Sequence, residues 1–128
     1  ENLNTKFDKI LLDMPCSGLG VLRKKPEKIY ELTANDIKNL KKLQKKIFES
    51  AYKSLKNGGE IVYSTCTFSK NENTNNIQYF LEKYEDLEIM EVEIPENIDN
   101  IRDEFGGIYI SYKNKYMDGF YIAKLRKK

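Results

Sequence analysis

Residues 59–73, "GEIVYSTCTFSKNEN", decide the fold. The β-branched and aromatic run predicts a strand over 59–67. Ser69 and Glu72 then form an S-x-x-E capping box, and Ile77, Phe80, Leu81 and Tyr84 follow at i, i+3, i+4 and i+7, so a helix is predicted to begin at once. A strand that hands over directly to an amphipathic helix is one half of an α/β unit. This strand also ends in a cysteine framed by two threonines.

Upstream, "FDKILLD" (7–13) is an unbroken apolar run without alternation, the pattern of a strand covered on both faces, and it stops at Pro15. It runs into "MPCSGLG", where the other cysteine lies. Between the two strands, "LTANDIKNLKKLQKKIFESAYKSLKNGG" (32–59) predicts a long helix. Thr33 is its N-cap, Ile37, Leu40, Leu43, Ile47, Ala51 and Leu55 its apolar stripe, and Asn57-Gly58-Gly59 its stop. Downstream, "LEIMEVEI" (87–94) predicts a strand nearer an edge, ended by Pro95. From 96 to 118 the pattern is turn-rich, with "GIYISYK" a minor strand, and "GFYIAKLRKK" (119–128) closes the chain as a final strand with a basic tail.

This order predicts an α/β sheet with helices on both faces and right-handed crossovers, binding ligands beyond the carboxyl ends of its strands. If the first two strands are neighbours, Asp13 and Cys16 share a rim with Thr65 and Cys66.

At 128 residues the chain is one domain at most, and it reads as a piece of something larger, beginning at Glu1 and entering its first strand with little preamble. Charged residues make up 33% at a net charge of +2, which gives little long-range pull on a polyanion. No apolar run is long enough to span a bilayer and no signal-peptide pattern is present, so a cytoplasmic setting with reduced cysteines is expected. The sequence has no histidine, which removes the usual general base and the commonest metal ligand.

Four readings of the two cysteines compete. Both are small buried apolar residues, the common fate of a thiol; or they are metal ligands, for which two cysteines without histidine are too few; or they form a redox pair, though the spacing is not C-x-x-C; or they act in covalent catalysis. The turns favour the last. "DMPCSGLG" lets backbone approach a ligand closely, and Cys66 stands before a helix whose N-terminal dipole favours the thiolate. Asp13 lies beside them as a further polar rim residue, or as a turn cap at the strand end.

"LLDMPCSGLGVLRKKPE" and "NGGEIVYSTCTFSKNEN", in this order with "LQKKIF" between, resemble the two signature blocks of the RNA cytosine-5 methyltransferases of the Fmu/Sun/NSUN family. The usual forms are D-A-P-C-S-G-x-G-x-x-R-x-x-P and G-G-x-x-V-Y-S-T-C-[ST]-x-x-x-x-E-N. "DGFYIAKLRK" is similar to the family's closing D-G-F-F-x-A-x-L strand. The resemblance, nearest to bacterial small-subunit ribosomal RNA methyltransferase B, implies the C-terminal half of a Rossmann-like class I methyltransferase domain. Its sheet would be mainly parallel with the last strand antiparallel, and its cofactor would be S-adenosylmethionine. By motif position Cys66 is the nucleophile toward cytosine and Cys16 assists product release, although DNA cytosine-5 methyltransferases use the P-C cysteine as nucleophile. Asp13 matches the aspartate near cofactor and base, and Pro15, Ser17 and Arg23 fall in the substrate-binding block.

The family's glycine-rich cofactor loop, the acidic residues that hold ribose and adenine, and the RNA-binding domain do not occur in these residues. The chain is therefore expected to be a single partial domain that binds cofactor weakly or not at all. Its first strand should form an open edge rich in Ile10, Leu11 and Leu12, which another copy can cover. "YKNKYMDGF" departs from the proline and histidine often found before D-G-F. Arg23, Lys24 and Lys25 are candidate phosphate contacts, whereas the lysines of the long helix read as a solvated face. Tyr63 and Phe68 could stack on a base, with core packing the simpler role. The expected partner is RNA, ribosomal by family habit, with no metal and no membrane. A noncatalytic RNA-binding or assembly module is the alternative class.

Overall fold

The computed structural model describes residues 5–15, 34–66, 70, 72–95, 98–110 and 120–128. They form β1 (Phe7–Asp13), α1 (Ala34–Lys53), β2 (Leu55–Thr65), α2 (Thr74–Lys83), β3 (Leu87–Met90), β4 (Asn100–Arg102), β5 (Ile108–Ile110) and β6 (Phe120–Lys127). One six-stranded sheet has the order β1-β2-β6-β5-β4, and β3 also pairs with β6. β3 lies along one end of β6, from Leu87 opposite Lys127 to Met90 opposite Lys124, and β5 along the other end, from Ile108 opposite Ile122 to Ile110 opposite Phe120. β1, β2, β3 and β5 therefore point the same way, while the last strand runs against them. The sheet is mainly parallel in direction, as expected, although β1 and β2 are the one parallel pair in contact among the described residues.

The helices differ from expectation. Among the described residues both lie on one face of the sheet and touch each other, with Phe48 of α1 stacked on Phe80 of α2 at 3.7 Å and Tyr52 on Tyr84 at 4.1 Å. The cause is strand order. The crossovers from β1 to β2 and from β2 to β3 step the same way across the sheet, so a common right hand puts both helices on the same side. They pack on Ile61 and Tyr63 of β2 and Tyr121, Ala123 and Leu125 of β6, all fully buried.

Several boundaries also move. α1 ends at Lys53, and Leu55, assigned above to its stripe, is instead the buried first residue of β2. Asn57-Gly58-Gly59 makes an irregularity in the β1–β2 ladder, where pairing jumps from Phe7 opposite Leu55 to Lys9 opposite Glu60. Gly58 has φ +82°, and a Cβ on Gly59 would come within 2.9 Å of the Lys56 and Asp8 carbonyl oxygens, so both positions require glycine. α2 begins at Thr74 rather than near Ser69, which lies outside the described residues. β3 stops at Met90, and β4 was not anticipated.

Among the described residues β1 forms the open edge predicted for it. Leu11 is 72% exposed and Phe7 40%, and on the helix side Phe7, Ile10, Leu12, Ile47 and Ala51 line an apolar groove of about 360 Å³.

Candidate active site

The site is built from the carboxyl ends of β1 and β2. Their parallel register sets Asp13 opposite Ser64, and the Met14 amide donates to the Ser64 carbonyl at 2.9 Å, so pairing continues one residue past the strand. Asp13 and Pro15 therefore leave the sheet on the same rim as Thr65 and Cys66. Asp13 and Pro15 are exposed, Met14 is buried and Cys66 is half-buried. The exposure of Asp13 follows from its strand, since β1 is an edge strand among the described residues. Cys16, Ser17 and Arg23 lie outside the described residues, as do Lys24, Lys25, Thr33, Phe68 and residues 111–119.

Behind the rim lies a buried polar network that sequence reasoning missed. The Gln44 amide of α1 donates to the Pro15 carbonyl at 2.8 Å and to Glu72 Oε1 at 3.2 Å. Asn76 of α2 donates to Gln44 Oε1 at 2.8 Å, to the Tyr63 hydroxyl at 3.1 Å and to the Glu72 carbonyl at 3.1 Å. The Tyr63 hydroxyl donates to that same carbonyl at 2.6 Å, so Tyr63 is a core residue and not a base-stacking platform. Thr65 donates to Asn73 Oδ1 at 2.6 Å. Although α2 starts well beyond Cys66 in sequence, this bond brings the residue before its first turn against the residue before Cys66.

The stripe on α1 is accordingly rotated from the predicted one. Gln44 and Phe48 are fully buried, whereas Leu43 is 44% exposed. The signal for Gln44 was its place four residues before Phe48, but a polar residue between lysines reads as surface. Of the helix lysines, Lys38, Lys42, Lys46 and Lys53 are exposed as expected, while Lys45 lies 4.0 Å from the Tyr79 ring centroid. Among the described residues no three His, Cys, Asp or Glu side chains converge on a metal site, and no helix is long and apolar enough to cross a membrane.

A mainly parallel sheet with its last strand inserted antiparallel, bearing a thiol and a carboxylate on one rim, has a Rossmann-like architecture. Residues 1–126 match the family model described as 16S rRNA methyltransferase RsmB/F, and the chain belongs to that family. It is 38% identical over 123 residues to ribosomal RNA small subunit methyltransferase F of Shewanella piezotolerans, covering 94% of this chain and 26% of that protein. It is 38% identical over 129 residues to the probable ribosomal RNA small subunit methyltransferase B of Bacillus subtilis, covering 98% of this chain and 28% of that protein. The crystal structure of NSun6 from Pyrococcus horikoshii with SFG superposes with a TM-score of 0.82 at 35% identity, covering 98% of this chain and 31% of that one. The chain thus spans about a quarter of the length of the curated relatives it matches.

Proposed function

We propose that this chain is the thiol-bearing part of a cytoplasmic S-adenosylmethionine-dependent RNA cytosine-5 methyltransferase acting on ribosomal RNA. The observation that carries the reading is the β1–β2 register, with Asp13 opposite Ser64, which sets the last residues of both strands on one rim. Family membership and the names of the relatives support methyl transfer to small-subunit ribosomal RNA.

In this reading the Cys66 thiolate adds to carbon 6 of cytosine, forming a C–S bond and moving the ring electrons to carbon 5. The cofactor supplies the electrophilic methyl group that carbon 5 takes up. Loss of the carbon 5 proton then returns electrons to the ring, breaks the C–S bond and restores the thiolate, with Cys16 assisting release. An unperturbed thiol has a pKa of about 8.5 and is a thiolate in only a small fraction at neutral pH. Asp13, Pro15, Ser17 and Arg23 are assigned to the substrate. Asp13 is the one described residue assigned to the cofactor. It stands exposed on β1, an edge strand among the described residues. Spanning about a quarter of the length of its relatives, the chain is read as a partial domain.

The test uses the full-length enzyme carrying this segment and RNA containing 5-fluorocytosine, whose carbon 5 has no proton to lose. A covalent protein–RNA adduct is expected in the wild type. It should be absent from Cys66→Ala, and Cys16→Ala should hold a trapped adduct even with ordinary cytosine. RNA binding that survives both substitutions with no adduct in any form would instead support a noncatalytic module.

A further inference from the structure

Three rows of side chains join α1 to α2 at four-residue intervals. Two are aromatic, Tyr52 with Tyr84 and Phe48 with Phe80. The third, at the end of the helix pair nearest the rim, is the amide pair Gln44 with Asn76. Both amides are fully buried. For adhesion alone an apolar pair would serve as well, because a buried hydrogen bond nets only about 1 kcal/mol and a lost partner costs about 1–3 kcal/mol. The polar pair differs from an apolar one in what it reaches. Gln44 holds the carbonyl of the peptide bond joining Pro15 to Cys16, together with Glu72 beside the residue that Thr65 contacts. A peptide unit is planar, so a bond to its oxygen restrains the rotation of the whole unit.

We infer that Gln44 is a positioning residue, a brace that fixes Pro15, just past β1, relative to Glu72, ahead of α2, and so sets the approach of the Cys66 thiol at that rim to the base. The inference rests on the functional reading above. It touches neither substrate nor cofactor, so its loss should slow the chemical steps and leave binding intact. A displacement of about 1 Å at a reacting group can cost about a hundredfold in rate.

The experiment compares wild type, Gln44→Met and Gln44→Glu in the full-length enzyme. Methionine keeps the volume and removes both polar functions, while glutamate keeps the acceptor for Asn76, removes the donor to Pro15 and Glu72, and sets a second carboxyl group against Glu72. Ile77→Val is the control, since it loosens the same core without touching the brace. The expected result is a kcat lowered about tenfold or more in both Gln44 variants, with KM for RNA within about twofold and the control unchanged in kcat. A folded Gln44 variant with wild-type kcat, or with KM raised and kcat intact, would overturn the inference. Failure of both variants to fold would also overturn it, assigning Gln44 to folding alone. Absence of methyl transfer by the wild type would sink the functional reading instead. In that case iodoacetamide labelling of Cys66 in the 128-residue chain still decides the brace. Gln44→Met should react severalfold faster than wild type, and equal rates would remove the brace.

Discussion

Asp103 gathers four donors onto one carboxylate. The Phe105 and Gly107 amides bond to Oδ1 at 3.0 and 2.7 Å, and the Thr74 and Tyr121 hydroxyls to Oδ2 at 2.9 and 2.7 Å. The β4–β5 turn, the first residue of α2 and the buried end of β6 are thus tied at one point. Gly107 is required there, because a Cβ would meet the Tyr121 hydroxyl at 2.0 Å, and that buried ring has no room to retreat. Asp103→Ala should cost about 3 kcal/mol or more, since it strands several donors at once. Urea unfolding of the 128-residue chain checks this, and a loss below about 1 kcal/mol would mean that water replaces the carboxylate. Nothing in the sequence marked Asp103, which lies in a stretch with no periodic pattern. The rim positions of Asp13 and Cys66 were legible because each closes a compact apolar or β-branched run. Gln44 and Asn76 were not, because their partners come from β1, β2 and the α2 entry, and only the fold brings these together.

At the scale of elements, α1 and α2 are held at their far end by Tyr52, which stacks on Tyr84 and donates to Asp86 in the α2–β3 turn. Burial first, then the Asp86 carboxylate, pushes the Tyr52 hydroxyl up to about 12. Burial, then Asp103, pushes Tyr121 up as well. An unfolded tyrosine ionises near pH 10, so above that pH the unfolded chain releases protons the native chain retains. The stability the Tyr52 hydroxyl contributes is complete below about pH 10 and is lost as pH rises toward about 12. Tyr52→Phe should therefore show a shallower alkaline loss of stability than wild type in urea midpoints taken across that range, and identical slopes would contradict the assignment. The strands β1, β2 and β6 were readable because each is a compact apolar or β-branched run. The helix ends were not. "KNGG" carries the marks of a helix stop, yet the chain uses it as a bulge, because burying Leu55 in the sheet wins over extending α1. The common face of the helices was hidden for a similar reason, since strand order is a tertiary fact.

At the scale of the whole molecule, the sheet of the described residues begins at β1, whose backbone edge faces outward beside Leu11 and the apolar groove. Exposed edges of this kind pair with whatever strand is available. The isolated chain is therefore expected to self-associate at high concentration, and Leu11→Lys should shift it toward monomer in sedimentation equilibrium. A chain that stays monomeric throughout would show that the edge is adequately blunted by Lys9, Asp8 and Asp13. The fold class and the family were legible at this scale because two signature blocks and a closing strand span most of the sequence. The account as a whole depends on the turns after β1 and β2 presenting Cys16 and Cys66 to one cavity. The most direct measurement treats the folded chain with a short bifunctional thiol reagent and maps the products by mass spectrometry. An intramolecular bridge between Cys16 and Cys66, formed in the native state and lost in urea, is the predicted result. Separate modification of each thiol with no bridge in the folded chain would contradict it.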